Sequence, residues 1–223
     1  MNSLSSKNKI CAVIPFYNEA KSLPKLIPEV EKYVDVIICV DDGSTDNSAQ
    51  IAAQSNKVIL IKNDKNFGKG YSLRRGFEMS IERGCDVTVS IDADLQHEPK
   101  FIPHFIDYIA DKQVVIGNRL HNTSSMPIHR RASNRITSFM LQSKFGKPIL
   151  DSQCGYRAFK NNILSCILPD SKGFEAETEM IIRALRKNIK IDFIPISTIY
   201  ADEQSKMRNV QATIGFLKVF FTV

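Results

Sequence analysis

Two carboxylates and an amide follow a single apolar run near the middle of the chain. Residues 87–91 alternate in the way that predicts a β-strand, and continued alternation would place Asp92, Asp94 and Gln96 on one side. Two close carboxylates repel each other unless a cation or a proton lies between them. Hard oxygen ligands of this kind suit Mg²⁺ or Mn²⁺, usually together with substrate phosphates. The alternative is an acidic turn before a helix that begins at Glu98 and Pro99.

Polar residues also follow the first predicted strand, in the sequence PFYNE of residues 15–19. The ring of Tyr17 could stack on a nucleobase, and Glu19 could accept hydrogen bonds from a base or a ribose. The competing interpretation is a helix start with Asn18 as its N-cap. The residues alone favour neither interpretation.

The second and third predicted strands end in further candidate sites. Consecutive side chains of a strand alternate, so one of Asp41 and Asp42 must point into a cleft if the other points away. Helix capping explains the following Ser44 and Thr45 but not the two carboxylates. Lys69 lies between two glycines and opens a helix, as in a phosphate-approaching loop, although the segment lacks the length of a P-loop and could be a plain tight turn.

Short apolar runs alternate with helical patterns along the chain. The predicted strands are residues 10–14, 36–40, 58–61, 87–91, 114–116, 156–159 and 191–196. Helical spacing falls in residues 23–33, 73–81, 128–145, 163–168 and 175–187, with a further helix from Ser44 or Thr45 to about residue 55 and one at the C-terminal end. This order predicts an α/β fold with a mostly parallel sheet between helices, in which ligands bind at the carboxyl ends of the strands.

The amino-acid composition limits which binding partners and which cellular compartment we expect for this protein. The formal net charge of +6 favours anionic partners, but the chain has no Trp and no Lys/Arg tract, so we expect no nucleic-acid partner. Five widely spaced cysteines without a C-x-x-C pair argue against structural zinc and favour a reducing cytosol. Residues 1–9 do not resemble a signal peptide, and no apolar run reaches the roughly 20 residues that span a bilayer. The apolar residues 214–223 could pack on the body of the protein, on a second subunit or at a membrane surface. We therefore expect a cytoplasmic protein that could bind the cytoplasmic face of a membrane peripherally, directly or through an integral membrane partner.

Taken in order, the segments PFYNE, VDDGSTD, NFGKG and DADLQHEP resemble the inverting nucleotide-sugar transferases of glycosyltransferase family 2, which have the GT-A fold. Residues 117–119, 151–157, 173–175 and 205–206 extend the resemblance to the dolichyl- and polyprenyl-phosphate mannose or glucose synthases. The resemblance covers about residues 9–208. It implies one domain over residues 1–223, with a nucleotide-binding half (1–120) and an acceptor-binding half (121–223) that ends in the apolar helix.

The resemblance also implies roles for individual residues. The donor site would comprise Pro15, Tyr17, Glu19, Val40, Asp42, Lys69, Asp92, Ala93 and Asp94. The metal, Mg²⁺ or Mn²⁺, would be held by Asp94 and Gln96 with Asp92 beside them. The acceptor would meet Arg130, Asn134, Gln153 and Arg157, and the catalytic set would be Asp94, Arg119, Arg130 and Lys206.

The implied reaction moves a sugar from a GDP- or UDP-sugar to a polyprenyl phosphate. Such a phosphate is mostly dianionic at neutral pH, so it needs positioning cations and no general base. The arginines of the second half fit that need. Residues 198–205 carry no arginine before Ser205 and Lys206, unlike the mannose synthases, which argues against mannose and GDP.

Two other function classes stay open. A family member that acts on a hydroxyl group would need a carboxylate base, for which Glu175, Glu177 or Asp151 could serve. A nucleotidyltransferase or a non-catalytic nucleotide-binding module is less favoured. We would expect a nucleotidyltransferase to place a Gly-rich, basic loop after the first strand, where this chain has PFYNE.

Overall fold

The computed structural model describes residues 8–123, 126–199 and 209–223, without the side chains of residues 209–212. Within these ranges, seven strands form one sheet in the order β3-β2-β1-β4-β6-β5-β7. The strands are β1 (Ile10–Phe16), β2 (Val36–Asp41), β3 (Val58–Lys62), β4 (Val87–Ser90), β5 (Val114–Asn118), β6 (Arg157–Lys160) and β7 (Ile191–Pro195). All neighbouring strands are parallel except β6, which pairs antiparallel with β4 and with β5. The predicted mostly parallel sheet is confirmed, and every predicted strand is present with slightly different ends.

Helices connect most of the strands and cover the sheet. They are α1 (Leu23–Val30), α2 (Ser48–Ala52), α3 (Lys69–Glu82), α4 (Ile102–Ile109), α5 (Ile128–Phe145), α6 (Asn161–Leu164), α7 (Ala176–Arg186) and α8 (Asn209–Thr222). A short 3₁₀ turn, Pro99–Phe101, precedes α4. The bounds of α5 agree with the sequence prediction, because Pro127 begins this helix and Gly146, at φ +64°, ends it in the left-handed conformation.

Helix α2 starts later than the sequence predicted. Ser44 and Thr45 lie in the turn after β2, where the Ser44 amide donates to Asp41 Oδ1 (2.8 Å) and the Thr45 amide donates to Asn18 Oδ1 (2.8 Å). Their amides are therefore satisfied by side chains outside a helix. Asn18 is not the N-cap of α1 either, since it has φ +54° and helix α1 begins five residues later.

The core lies on both faces of the central strands. Every residue of β1 is buried. Helix α3 packs directly on β1 and β2, because a Cβ on Gly76 would lie 2.4 Å from Val13 Cγ1 and 3.2 Å from Val40 Cγ2. The structure therefore places the side chain of Val40 in this core beneath α3.

Two cysteines behave differently from the sequence expectation. Cys11 at the start of β1 and Cys85 after α3 form a disulfide, although the cysteine pattern favoured a reducing compartment. Cys39 and Cys154 are buried free thiols, and burial raises the pKa of each to about 12. Separately, no helix in the described ranges is both long and apolar enough to cross a bilayer.

Candidate active site

A cavity of about 650 Å³ lies at the carboxyl ends of β1, β2 and β4. This is the edge where parallel α/β sheets bind ligands. The predicted site residues that line it are Pro15, Tyr17, Glu19, Asp42, Lys69, Asp92, Ala93, Asp94, Gln96, Arg119, Arg130, Asn134 and Gln153. Val40 and Arg157 do not line it, and Lys206 lies outside the described residues.

The segment after β4 does not continue as a strand. Strand β4 ends at Ser90, the backbone turns at Ala93 and Asp94, and Leu95 adopts φ +59°. The backbone N–H of Gln96 donates to Asp94 Oδ1 at 3.1 Å, which fixes this turn. The extended backbone on which the alternation argument depended is therefore not present, and a turn stands in its place. The side chains of Asp92, Asp94 and Gln96 still line one cavity, because the turn carries them there.

A partly buried ion cluster at the cavity joins both halves of the chain. Lys69 Nζ, at the first residue of α3, lies 2.7 Å from Asp92 Oδ1 and 3.1 Å from Glu177 Oε1 on α7. Burial raises the pKa of Asp92, but the Lys69 cation more than offsets this and holds that pKa below its usual range. The two carboxylates likewise raise the pKa of Lys69 against the effect of burial. Lys69 therefore carries a positive charge between two carboxylates.

Gly155 allows this cluster to form. A Cβ there would lie 2.5 Å from Asp92 Oδ2 and 2.9 Å from Glu177 Oε1, so only glycine leaves room for both carboxylates. Gly155 was not among the residues predicted from the sequence. The only available signal was its position inside the motif of residues 151–157.

Asp42 lines the cavity and also holds the loop before α3. Its carboxylate accepts hydrogen bonds from the amides of Phe67 (3.0 Å) and Gly68 (2.8 Å) and from Asn63 Nδ2 (2.8 Å). An ionised carboxylate offers about four acceptor sites, so about one is left for a ligand. Asp41 points elsewhere, with Oδ1 accepting from the Ser44 amide, as the alternation of strand side chains requires.

The residues after β1 are fixed by the turn that follows β2. The Glu19 amide donates to Ser48 Oγ at 2.7 Å, and the Asn18 amide donates to Ser44 Oγ at 2.9 Å. The side chain of Glu19 also accepts a hydrogen bond from Ser22 Oγ. Tyr17 and Glu19 are therefore presented to the cavity on two crosslinked turns.

Asp151 organises the opposite wall of the cavity. Its buried carboxylate accepts from Nε and one terminal nitrogen of Arg119, both at 2.9 Å, and from the Arg119 amide at 3.0 Å. Asn134 Nδ2 (2.6 Å) and the backbone N–H of Gln153 (3.1 Å) donate to the same carboxylate. Burial raises the pKa of Asp151, but Arg119 more than compensates and the pKa lies below its ordinary value. Asp151 thus positions Arg119 and does not fit the role of a base for a hydroxyl acceptor.

Arg157 has a structural role in place of the predicted acceptor contact. Its side chain is about 1% exposed and donates to the carbonyls of Cys154 (2.7 Å), Glu177 (2.7 Å) and Ser152 (3.1 Å). The guanidinium is thereby occupied by backbone carbonyls, and Arg157 itself does not line the cavity. It ties the loop before β6 to the start of α7.

Ten further residues line the cavity without having been assigned a role at the site from the sequence. Six lie inside the quoted motifs, namely Phe16, Asn18, Asn66, Gly68, Ser152 and Phe174, and four lie outside them, namely Ser72, Met126, Thr178 and Phe216. Most come from loops or helix faces that only the tertiary fold brings to the strand ends. His97 is buried against Tyr156, and burial together with Arg119 lowers its pKa to about 4.

Comparison of the sequence with known protein families identifies the family of the chain. The model of glycosyl transferase family 2 matches residues 11–168. The chain belongs to glycosyltransferase family 2. The resemblance seen in the sequence motifs is therefore confirmed.

Two curated family relatives cover nearly the whole chain. A UDP-N-acetylglucosamine–dolichyl-phosphate N-acetylglucosaminyltransferase of Methanococcus voltae is 34% identical over 95% of this chain and 93% of its own length. An undecaprenyl-phosphate mannosyltransferase of Micrococcus luteus is 30% identical over 89% of this chain and 87% of its own length. Both names describe sugar transfer to a polyprenyl phosphate.

A solved structure supports the fold. Glucosyl-3-phosphoglycerate synthase of Mycobacterium tuberculosis, crystallised with Mn²⁺, UDP-glucose and phosphoglyceric acid, superposes with a TM-score of 0.75 at 19% identity. The match covers 96% of this chain and 80% of that one. The sheet order and this likeness establish the predicted GT-A fold.

Proposed function

We propose that this protein transfers a sugar, with inversion, from a UDP-sugar to a polyprenyl phosphate at a membrane surface. One observation carries the proposal: Arg119 and Arg130 border the same cavity as Asp94 and Gln96. A donor diphosphate and an acceptor phosphate therefore find suitable groups on two walls of one cavity. The names of the two family relatives supply the acceptor class and, for one of them, the UDP donor.

The donor half would bind the nucleotide through residues after β1, β2 and β4. In this proposal Tyr17 and Glu19 contact the nucleoside, and Asp42 contributes its remaining acceptor site while it keeps the loop before α3 in place. Lys69 stays paired with Asp92, so it acts on the donor mainly by fixing the carboxylate next to the ribose and diphosphate. We retain residues 1–120 as the donor half and 121–223 as the acceptor half of one domain.

The cavity side chains fit a divalent cation whose remaining ligands would be phosphate oxygens of the nucleotide-sugar donor. No group of three or more His, Cys, Asp or Glu side chains in the described part of the chain could hold a metal alone. Asp92 is paired with Lys69, which leaves the Asp94 carboxylate and the Gln96 amide oxygen as the protein ligands at the cavity. Mg²⁺ and Mn²⁺ accept such a small oxygen set when substrate phosphates complete it. When bound, the ion would stabilise the negative charge of the leaving diphosphate.

The acceptor half, together with Arg119 at the end of the donor half, would position the phosphate nucleophile. An oxygen of the acceptor phosphate forms a bond to the anomeric carbon while the bond from that carbon to the nucleoside diphosphate breaks. A dianionic phosphate needs no proton acceptor for this step. Arg119, held rigidly by Asp151, and Arg130 on α5 offer planar cationic groups that suit phosphate recognition.

Release of nucleoside diphosphate tests the proposal directly. We would assay a panel of UDP- and GDP-sugars with Mn²⁺, with and without a short polyprenyl phosphate. We expect release from a UDP-sugar that depends on the polyprenyl phosphate. Metal-dependent donor hydrolysis without stimulation by the lipid would move the assignment to a hydroxyl acceptor, for which Glu175 at the cavity wall could serve as the base.

Asp94→Ala provides the matched variant for this assay. We expect at least about a hundredfold loss of turnover, because a group that stabilises the leaving charge is removed. Asp64→Ala, at an exposed site, is the control that also removes one carboxylate. Unchanged turnover in a folded Asp94→Ala variant would refute the assignment of Asp94.

A further inference from the structure

Helix α5 exposes an apolar stripe on the side opposite its buried face. Ile128, Ile136 and Phe139 are 75%, 59% and 67% exposed, and Ala132 between them is exposed as well. Their spacing places them along one face of the helix. The opposite face is buried and consists of Asn134, Thr137, Ser138 and Leu141. A helix that buries mostly polar residues and exposes large apolar ones reverses the usual pattern of a surface helix.

Helix α8 carries a second stripe of the same kind. Ile214, Leu217 and Phe221 are exposed at spacings of three and four residues, while Phe216 and Val219 are buried. The carboxyl ends of the two helices adjoin, because Lys144 of α5 donates a hydrogen bond to the Phe220 carbonyl and lies 4.5 Å from the centre of its ring. With Leu150, these segments hold seven of the ten exposed large apolar side chains in the described ranges.

The same segments hold the excess positive charge of the chain. Residues 128–150 and 209–223 contain six Lys and Arg residues and no Asp or Glu. The formal net charge of the whole chain is +6, so the remaining residues are balanced. The apolar stripes thus lie on the part of the protein that complements an anionic surface.

Both helices also form walls of the active-site cavity. Arg130 and Asn134 on α5 and Phe216 on α8 line it. The two stripes therefore lie on the outer sides of the helices that would receive the acceptor phosphate. A surface bound to these stripes would lie beside the cavity.

We propose that the outward faces of α5 and α8 dock on the surface of a lipid bilayer with anionic headgroups. Exposed apolar side chains flanked by Lys and Arg are the features of helices that lie in a membrane interface. A symmetric contact with a second copy would bring six uncompensated cations of each chain together, which is unfavourable. This docking surface deepens the proposed function and rests on it, because a polyprenyl-phosphate acceptor is what would require the cavity to face a bilayer. From the sequence alone, only residues 214–223 were candidates for a membrane contact.

Vesicle co-sedimentation of the full chain tests the docking surface. The vesicles would contain phosphatidylcholine alone or phosphatidylcholine mixed with phosphatidylglycerol. We expect binding to the mixed vesicles. The double variant Ile136→Ser/Phe139→Ser should weaken it at least about tenfold, because two exposed apolar side chains lose their insertion free energy. Tyr108→Ser on α4, also an exposed ring, is the matched control and should bind like the wild type.

The charge contribution has its own pair of variants. Arg135→Gln on the exposed side of α5 should weaken binding to the anionic vesicles about fivefold. Lys25→Gln, at an exposed site on α1, should not. Failure of the wild type to bind anionic vesicles, or equal binding of the Ile136→Ser/Phe139→Ser variant, would overturn the proposal. So would a dimer in sedimentation velocity that this variant dissociates while vesicle binding is absent.

Turnover with a water-soluble, short-chain prenyl phosphate separates the two proposals. In a vesicle-free assay, the Ile136→Ser/Phe139→Ser variant should release nucleoside diphosphate at the wild-type rate. Vesicle binding without any turnover of the wild type would refute the proposed function and leave the docking surface in place. Turnover without vesicle binding would refute only the docking surface.

Discussion

Cavity residues in the first half of the chain lie in turns that directly follow parallel strands, and nearby backbone amides hold them. Asp42 accepts from two amides of the loop before α3, and Ser48 accepts from the amide of Glu19. Cavity residues of the second half depend on buried side chains that are distant in sequence. Asp151 collects hydrogen bonds from Arg119 and Asn134, on two different elements. The donor wall is therefore assembled mainly from crosslinked turns after neighbouring strands, and the acceptor wall from one network around a buried carboxylate.

The largest expected effect is at the centre of that network. Asp151→Ala should lower the free energy of unfolding by about 3–5 kcal/mol, because it leaves the Arg119 guanidinium and Asn134 without their partner. Urea denaturation measures this. Asp170→Ala is the matched control, since Asp170 also pairs with two arginines, Arg74 and Arg183, but is exposed and should cost about 1 kcal/mol or less. Equal losses in the two variants would remove the distinction between the two walls.

The lowered pKa of Asp151 predicts that the free energy of unfolding depends on pH. The pKa of Asp151 is below its ordinary value of 3.8 in the folded chain, so its stabilisation is fully present above pH 3.8. That stabilisation is lost as the pH falls further, towards the lower folded-state pKa. The unfolding free energy of Asp151→Ala should therefore decline less steeply than that of the wild type over this acidic range. Parallel acid-denaturation curves would contradict the assigned charge state.

A smaller loss is expected at Arg157. Arg157→Lys keeps the charge but loses the planar set of donors to three buried carbonyls, which should cost about 2 kcal/mol of stability. Arg75→Lys is the control, because Arg75 donates to the Lys62 carbonyl at the surface. A higher KM for the acceptor with unchanged stability would instead support the acceptor contact that the sequence predicted.

The smallest effect is expected in the donor half. Ser48→Ala removes the acceptor of the Glu19 backbone amide and a donor to the carboxylate of Asp46, and we expect a combined loss of about 1 kcal/mol. Thermal denaturation and the KM for the donor would both be measured, with Ser165→Ala at an exposed hydrogen bond as control. A loss as large as that of Asp151→Ala would show that the donor wall is a shared network too.

The donor wall was the easier of the two to predict. Residues 15–19, Asp42 and Asp92 follow apolar runs whose period identifies strands, and the ends of parallel strands meet at one edge of a sheet. Even here the alternation argument for Asp92, Asp94 and Gln96 depended on an extended backbone, and a turn with a left-handed Leu95 replaces it. The positions reached the cavity through topology and not through strand alternation.

The acceptor wall was predictable only in part. The motif of residues 151–157 was recognised, but its members have unlike roles: Gln153 lines the cavity, Gly155 makes room for two carboxylates and Arg157 is buried. Nothing in the linear order distinguishes a buried arginine from one that faces a ligand. The pairing of Lys69 with Glu177 spans more than a hundred residues and had no local signal.

By itself, the sequence determined the class of fold, the family and the bounds of α5, because these follow from periodicity, capping residues and ordered motifs. Only the tertiary structure decided which charged groups pair with each other and which face the cavity. It alone brought α5 and α8 together as neighbours with exposed apolar stripes. The physical reason is that burial and electrostatic pairing depend on distances through space, which the order of residues does not specify.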